Sequence, residues 1–348
     1  MKSFYWEEPS REGALNAVRL DGYPVQDDIQ SGESGQGYAL RMASANFLTG
    51  LGEIRRRLGK NTTTTLTSSD ASFLARWFGA DATRLQHALE ETDLTDLDEF
   101  VDGVNQSVYA GHLIPRQNYL NRMAPRVCPD CLQEQDICRI EWDFSFVTAC
   151  PRHERLLIDR CPGCLSSISW QRPAVNICDC GTYLTEASQC VQKDPALVDL
   201  EVSRWISEWI GSESTTGAKR VNGSALMKLL SPLSLHGGMN ILWALSLAED
   251  SNAHKNKSVA DGHMLERCCK TLLKANEFSK KLAENDLETF RSKKRHTLIP
   301  MLAQCMHELY TYEDRSLAQS LVSTILSGNG VSIKAIGGLT LQPSLFSE

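Results

Sequence analysis

The spacing of apolar residues predicts helices over much of the chain. From Gly37 the apolar positions recur every three or four residues, and the pattern breaks near Gly50. The polar run NTTTTLTSS at 61–69 predicts a loop. Two short helices follow, with Asp70 as the N-cap of the first and a turn at 79–81 between them. Their apolar positions are Phe73, Leu74 and Phe78, then Ala82, Leu85 and Leu89.

The second half of the chain has the same helical spacing. Helices are predicted at 202–210, 264–290, 298–310 and 316–326. The nearly unbroken apolar run MNILWALSLA at 239–248 is too short to span a bilayer and predicts a buried helix. The opening MKSFYWEEPSRE has no basic stretch followed by apolar residues, so we expect no secretory signal. Nothing in these patterns predicts contact with a membrane.

The centre of the chain has a different pattern. Between 139 and 146, apolar residues alternate with polar ones, which predicts a strand with one buried face. Residues 156–158 predict a second, short strand. The inward-facing residues of the first strand would be Ile140, Trp142, Phe144 and Phe146, and the outward-facing ones Arg139, Glu141, Asp143 and Ser145.

Eight of the twelve cysteines lie in this central region, between 128 and 181. Seven of them, with one histidine, form two sets: C-x2-C followed by C-x2-H, then C-x2-C followed by C-x-C. Each set can turn four ligand atoms onto one ion and complete a tetrahedron, which leaves no position for water or substrate. The sequence therefore predicts two structural zinc ions. The ligands would be Cys128, Cys131, Cys150 and His153 in the first site, and Cys161, Cys164, Cys178 and Cys180 in the second.

Other interpretations of the cysteines stay open at this point. Disulfides or unrelated free thiols are one alternative, although the reducing cytoplasm that we expect favours metal ligands. Interleaved sites that exchange ligands are another. Cys138 and Cys190 fall outside both sets and are expected to be small buried side chains, and Cys268, Cys269 and Cys305 to belong to the core of the helical region.

Together these patterns predict a mainly α protein with small β-rich zinc ribbons. We expect a polar N-terminal extension at 1–30, a helix-turn-helix domain at 31–125, a central double zinc-binding module at 126–190 and a C-terminal helical domain at 191–348. The central module has too little apolar core to fold alone, so metal binding should stabilise it directly.

Charge limits the role of nucleic acid. The net charge is −7, which is unfavourable for nonspecific DNA binding, although residues 255–295 hold eleven Lys and Arg against six Asp and Glu. Two sets of residues are candidates for nucleic-acid or partner contact, with a packing hairpin and a solvated helix end as the simpler explanations. They are Arg84, Gln86 and His87 in the second short helix, and Arg291, Lys293, Lys294 and Arg295 in the run RSKKRH.

The motifs of several catalytic sites are missing from the sequence. None of the eight histidines has Glu at the second following position, so the H-x-E motif of zinc deaminases is not present. H-E-x-x-H and the G-x4-G-K-[ST] phosphate loop are also absent. We therefore expect a protein without enzymatic activity.

Several segments resemble the TniQ family, over about residues 23–187. They are GESGQGYALRMASANFLTG at 32–50, RVCPDCL at 126–132, FVTACPRHERLLIDRCPGC at 146–164 and the CDCG closure at 178–181. The resemblance implies a target-selection adaptor of a heteromeric bacterial transposon, which recruits a AAA+ ATPase regulator (TnsC-like) that in turn recruits the transposase. It also implies that the eight metal ligands named above carry over as the family's zinc ligands.

The family that the chain resembles has two branches. In one, the protein docks on a CRISPR RNA-guided effector (Cascade) with its guide RNA; in the other, TnsD-like, it reads an attachment site in DNA. The acidic net charge, the sparse second helix and the modest length favour the RNA-guided branch, with target DNA met directly or through partners. We expect a bacterial cytoplasmic protein, and the resemblance is compatible with a homodimer that the residues themselves do not require. The alternative is a site-specific DNA-binding selector or a zinc-containing transcription regulator.

Overall fold

The protein is mostly helical, with two small sheets, in the part of the chain that the structure describes. This computed structural model describes residues 22–92, 94, 106–115, 117–122, 124–189, 194–211, 223–248, 264–284, 302 and 311–327. The chain divides into two compact units. The first contains Met1–Lys219 and Val259–Cys268, and the second contains Arg220–Ser258 and Cys269–Glu348. The domain boundaries expected at 30, 125 and 190 stay a prediction.

Among its described residues, the first unit has four short helices and a hairpin before the central region. The helices are α1 (Gly35–Ala45), α2 (Leu51–Arg57), α3 (Ala71–Phe78) and α4 (Ala82–His87). Strands β1 (Ser107–Tyr109) and β2 (His112–Ile114) pair antiparallel, with Val108 opposite Leu113. The central region adds helix α5 (Pro129–Glu134) and a hairpin of β3 (Ala149–Cys150) and β4 (Arg155–Leu156), and helix α6 (Leu197–Trp209) follows.

Helices α1 and α2 confirm the predicted helix and its break. The side chain of Ser34 accepts a hydrogen bond from the Gly37 amide and so begins α1. Gly50 stands between the two helices at a φ of 100°, and a Cβ there would lie 2.8 Å from the carbonyl oxygen of Arg172 and 2.9 Å from that of Gln171. Only glycine fits this backbone conformation and this approach.

Helices α3 and α4 lie where the two short helices were predicted. Gly79 ends α3 in the left-handed region, and the side chain of Asp81 accepts from the Arg84 amide to begin α4. Asp70 occupies the N-cap position of α3, as predicted. Its carboxylate makes no capping bond to α3 and instead accepts from the Thr67 amide at 2.8 Å.

The strand predicted at 139–146 is not formed. Ile140–Asp143 is a 3₁₀ turn, and the segment beyond it continues without a sheet partner strand. The alternating pattern misled because the polar residues are buried as well: Glu141 is 1% and Ser145 4% exposed. A backbone bond from Ile140 to Gly32 and an isolated antiparallel bridge between Phe144 and Leu120 hold the segment between neighbouring loops instead. The second predicted strand is confirmed only in part, since β4 ends at Leu156.

The second unit contains four helices in its described residues, α9 being shared with the first unit. They are α7 (Ala225–Leu230), α8 (Leu235–Ala248), α9 (Met264–Ala283) and α10 (Tyr312–Ser327). Helix α8 confirms the buried helix predicted at 239–248, since Met239, Ile241 and Leu242 are fully buried. Asp314 of α10 is buried and accepts from the amide and hydroxyl of Ser234, which tethers the start of α8.

The other helices of the C-terminal half lie where they were predicted, but their lengths differ from the prediction. Helices α6, α9 and α10 cover the predicted 202–210, the first part of 264–290 and 316–326. The helix predicted at 298–310 lies outside the described residues, except for Leu302. No helix among the described residues combines the length and the apolar character needed to cross a bilayer.

The cysteines outside the two predicted sites behave differently from one another. Cys138 is 2% exposed, which confirms the expected small buried side chain. Cys268 and Cys269 are only half-buried at the start of α9, so their assignment to a core was wrong. The guanidinium of Arg126 donates to the Cys268 sulfur at 3.2 Å. Cys190 and Cys305 lie outside the described residues.

Candidate metal centres

The first centre joins the start of α5 to the β3–β4 hairpin. Cys128 immediately precedes α5 and Cys131 lies one turn into it, so one helix end presents both sulfur atoms in the same direction. Cys150 ends β3, and His153 lies in the turn that follows. The His153 Nδ1 atom is 3.5 Å from Cys128 Sγ, 3.3 Å from Cys131 Sγ and 3.5 Å from Cys150 Sγ.

The backbone of the hairpin turn brings His153 back towards the sulfur atoms. Glu154 has a φ of 49°, in the left-handed region that side chains other than glycine seldom adopt. The Glu154 amide donates to the Cys150 carbonyl at 2.9 Å and closes the turn. The strained residue therefore follows directly after the ligand that it helps to place.

The second ring nitrogen of His153 is held by a carboxylate. Nε2 lies 2.9 Å from Oε1 of Glu134 on α5, and the other oxygen of Glu134 accepts from Arg152 at 2.7 Å. The hydrogen bond from His153 lowers the pKa of Glu134 below its usual value. With Nε2 donating to this carboxylate, Nδ1 is the nitrogen left free to bind a cation.

The second centre is built from two tight turns, without a helix. Cys161 and Cys164 flank a turn in which the Gly163 amide donates to the Cys161 sulfur at 3.3 Å. Cys178 and Cys180 flank the other turn. Cys161 Sγ lies 3.6 Å from Cys180 Sγ, and Cys164 Sγ lies 3.9 Å from Cys178 Sγ. Leu165, the residue after Cys164, has a φ of 62°, so this turn also ends in the left-handed region.

The spacing of the ligand atoms can be compared with a zinc tetrahedron. Zinc–sulfur bonds of about 2.3 Å imply sulfur atoms about 3.8 Å apart, and a nitrogen at about 2.0–2.1 Å lies about 3.5 Å from each sulfur. The measured separations of the neighbouring atoms are 3.3–3.6 Å in the first centre and 3.6–3.9 Å in the second. In each quartet all four ligand atoms lie within 4.8 Å of one another. Both clusters could therefore hold a metal ion.

The structure also separates the alternatives that the sequence left open. The eight predicted ligands group as two consecutive quartets, so no ligand is exchanged between the centres. The cysteines of both quartets are free thiols, and sulfur separations of 3.6 Å and more are far beyond the bond length of about 2.05 Å in a disulfide. Thiols of Cys128 and Cys131 directed at Cys150 lower the pKa of Cys150 to about 4, which favours a thiolate in the first centre.

The two centres differ in solvent exposure. In the first, Cys128, Cys131 and Cys150 are buried, and in the second Cys161 and Cys178 are buried while Cys164 and Cys180 are exposed. The first centre is covered because α5 packs against the 3₁₀ segment Leu184–Gln189, and Asp130 of α5 pairs with Arg155 of β4 at 2.7 Å. The turns of the second centre have no such cover over their two exposed sulfurs.

The predicted nucleic-acid contacts stay a prediction. Arg84, Gln86 and His87 are all exposed on α4. Arg84 is already paired, because its guanidinium donates to Asp28 at 2.6 Å. The structure thus brings these side chains to the surface without testing what they bind. The basic set Arg291, Lys293, Lys294 and Arg295 lies outside the described residues.

A buried polar cluster in the first unit was not found from the sequence. Tyr109 of β1 donates to the carboxylate of Asp143, and Arg122 pairs with Glu90 nearby. These side chains line a cavity of about 30 Å³, enough for one or two water molecules. Burial raises the pKa of Asp143 to about 7. No sequence motif marks this cluster, since its members come from four separate segments. Glu134 was also missed, although its position on the helix of the first two ligands was a signal.

Comparison with known proteins gives one family. The family model described as TniQ matches residues 24–157, which include α1 to α4 and the complete first centre. The second centre begins after the matched residues. No curated protein matches the chain. Over residues 24–157, therefore, the chain is similar to the TniQ family, as its cysteine pairs and its opening segment suggested.

Proposed function

We propose that this protein is a target-selection adaptor for the transposition of a heteromeric bacterial transposon, without catalytic activity of its own. The observation that carries the proposal is the TniQ match over residues 24–157, because it encloses the first quartet of ligands with the helices before it. TniQ membership associates a protein with the choice of a transposition target. The protein would act in the bacterial cytoplasm.

The metal ions are proposed to be two structural zinc ions. Three thiols and one imidazole in the first centre, and four thiols in the second, are the donors that zinc prefers in closed sites. When bound, the ions would cross-link turns and short hairpins that have little apolar core. With four protein ligands on each ion, no position remains for a water to be activated or a substrate to bind. The proposed role of both metal ions is therefore to stabilise the fold.

We further propose that the partner selecting the DNA target is an RNA-guided effector of the Cascade type. In this arrangement, base pairing by the guide RNA finds the sequence, and the adaptor joins the effector to a AAA+ regulator. Two features support this branch: the net charge of −7, and the pairing of Arg84 with Asp28, which reduces the charge that α4 can offer to DNA phosphates. A homodimer would give the adaptor two docking surfaces.

Co-purification tests this proposal. The full chain would be produced with the AAA+ regulator and with the Cascade-type effector, with and without guide RNA. We expect retention of the chain on the assembled RNA complex and loss of retention without guide RNA. Retention on neither partner would reject the adaptor function. Mass photometry of the purified chain, at several concentrations, would report whether it dimerises.

A second candidate function is direct reading of an attachment site in duplex DNA. The observation in its favour is the exposure of Thr83, Arg84, Gln86 and His87 on α4, the second helix of a helix–turn–helix arrangement. This function predicts sequence-specific binding that falls steeply with salt, and its loss in a variant with Arg84→Ala and Gln86→Ala. The adaptor function predicts no specific duplex binding by the isolated chain.

A further inference from the structure

The two proposed zinc centres differ in how far solvent reaches their sulfur atoms. In the first, Cys128 is 0% and Cys131 and Cys150 are each 1% exposed. In the second, Cys161 is 0% exposed, but Cys164 and Cys180 are on the surface. A zinc-bound thiolate reacts with an oxidant or an electrophile only when that molecule can reach the sulfur. The two centres have similar donor atoms and therefore differ mainly in how easily a reagent reaches their sulfur atoms.

We propose that Cys164 and Cys180 form a modification site, where oxidation or alkylation releases metal from the second centre while the first stays loaded. This inference rests on the proposed occupancy of both centres by zinc. The reagents it names are peroxide-class oxidants and soft electrophiles such as maleimides. It is independent of which partner the adaptor binds.

The spacing of the sulfurs allows a complete redox step with hydrogen peroxide. Cys161 Sγ and Cys180 Sγ are 3.6 Å apart, and joining them requires a separation of about 2.05 Å. The peroxide attacks at exposed Cys180: its O–O bond breaks, a sulfur–oxygen bond forms, and one oxygen leaves as water. Cys161 then displaces the second oxygen as water and forms the disulfide. The two sulfurs lose two electrons, the peroxide gains them, and solvent supplies two protons.

Sulfur spacing alone would not distinguish the centres. Cys131 Sγ and Cys150 Sγ in the first centre are also 3.6 Å apart, so a disulfide could form there as well if an oxidant arrived. Both of those residues are buried, Cys131 on α5 and Cys150 at the end of β3. Exposure, and not donor geometry, is the property that makes the second centre the reactive one. Once a disulfide forms, two protein ligands remain and the ion is no longer enclosed.

Loss of the second ion has a structural consequence within the first unit. The loop between the two cysteine pairs contacts the helical region: Gln171 Nε2 donates to the Thr62 carbonyl at 2.6 Å, and the Gln171 carbonyl lies beside Gly50. The ion fixes both ends of this loop. Its release would loosen the contact with the α1–α2 turn, and so would connect the oxidation state of the surface thiols to the helices of the family-matched region.

The test uses the full zinc-loaded chain and one equivalent or a small excess of hydrogen peroxide or N-ethylmaleimide. Native mass spectrometry would count zinc ions per chain, and peptide mapping would locate each modified cysteine. We expect the count to fall from two to one before any first-centre thiol is modified. Peroxide should give the Cys161–Cys180 disulfide, and N-ethylmaleimide should label Cys164 and Cys180. Cys138, buried outside both quartets, is the internal control for unfolding and should stay unmodified.

The variant Cys164→Ser provides the matched comparison. It should hold one zinc ion, keep its far-ultraviolet circular dichroism, and lose no further zinc on treatment. Parallel loss of both ions, or equally fast modification of Cys131 and Cys150, would overturn the inference. An untreated chain with two zinc ions that modification never removes would overturn it too. Fewer than two ions in the untreated chain would contradict the two-zinc proposal itself, and the inference with it.

Discussion

Glu134 illustrates how one residue can control a metal centre that it does not touch. It holds Nε2 of His153 at 2.9 Å and therefore sets which ring nitrogen faces the sulfurs. A carboxylate in this position also makes the imidazole a better donor to a cation. Glu134 is nearly half exposed, so its effect on overall folding stability should be small compared with its effect on metal binding.

Replacing Glu134 by alanine should weaken zinc binding at the first centre by about 10- to 100-fold. The reason is the loss of the acceptor that orients His153. Competition with a chromophoric chelator would measure the affinity, and the second centre of the same molecule serves as a reference. Glu134→Gln is the matched control, because its amide oxygen can still accept from Nε2. Equal affinities in the alanine variant and the natural chain would show that His153 is oriented by other contacts.

Asp143 gives a prediction about pH. Burial raises its pKa to about 7, with Glu141 and Glu90 raising it further and the hydrogen bonds from Tyr109 and Ser34 opposing the rise. In the unfolded chain the pKa of an aspartate is about 3.9. The folded state therefore binds the proton more tightly, and this group's contribution to stability falls as the pH rises from about 4 to about 7.

Asp143→Asn should remove that part of the pH dependence. Asparagine keeps an acceptor for the Tyr109 hydroxyl but does not ionise. The difference in unfolding free energy between the variant and the natural chain should thus shift in favour of the variant as the pH rises from about 4 to about 7. Each unit of difference between the folded and unfolded pKa of Asp143 corresponds to about 1.4 kcal/mol of unfolding free energy. Urea denaturation at a series of pH values would measure it, and parallel curves would contradict the prediction.

At the scale of elements, capping decides how the short helices begin. Helix α4 has only the six residues Ala82–His87, too few to be stable alone, and its start depends on the Asp81 side chain. Leu85 is its one fully buried residue and anchors it to the rest of the unit. Such a helix is held by its cap and its packing more than by intrinsic propensity.

Asp81→Ala should therefore destabilise the first unit by about 1 kcal/mol, whereas Asp81→Asn, which keeps a capping oxygen, should cost much less. Thermal unfolding of the two variants, compared with the natural chain, would measure both values. If the two variants were equally stable, the hydrogen bond from the Arg84 amide to Asp81 would have no part in beginning α4.

The hairpin of β3 and β4 depends on the metal in a similar way. Each strand has two residues, and the pairing of Cys150 with Arg155 is the end of the ladder. Cys150→Ala should reduce the zinc content from two ions to one and unfold this hairpin, because a closed centre loses a ligand. Cys138→Ala, also a buried thiol but outside the quartet, should retain both ions. Metal content by mass spectrometry and melting temperature would separate the two, and unchanged zinc in Cys150→Ala would refute the ligand assignment.

Most elements of the fold could be predicted from the sequence, but not every local conformation. The cysteine pairs predicted both quartets because ligand spacing is a local property that survives in the fold. The helical spacing around Gly50 and Gly79 predicted α1 to α4 for the same reason. The segment at 139–146 failed because Glu141 is buried by residues distant in the chain, and period-two alternation assumes that polar residues face water. Glu134 and Asp143 acquire their roles only through tertiary contacts.

At the scale of the whole molecule, the two units differ in what stabilises them. Both candidate metal centres belong to the first unit, as far as the described residues extend. The second unit has packed helices, with Leu242 of α8 and Phe278 of α9 fully buried. We therefore expect bound metal to contribute to the folding stability of the first unit, while packing of apolar side chains stabilises the second.

Removal of zinc with a chelator should accordingly affect the units unequally. We expect two thermal transitions in the zinc-loaded chain, of which the chelator abolishes or lowers one and leaves the other in place. Calorimetry with and without the chelator would show this, and re-addition of zinc should restore the first transition. A single transition that shifts as a whole would mean that the units unfold together.

The close approach at Gly50 has a consequence for evolution. A side chain at this position would collide with the carbonyl oxygens of Gln171 and Arg172, which belong to a loop more than a hundred residues away in the sequence. A substitution of Gly50 should therefore be tolerated only together with a change in this loop. Among relatives, a larger residue at the α1–α2 break should co-occur with an altered or shortened loop between the cysteine pairs of the second centre, a covariation that a sequence alignment can reveal.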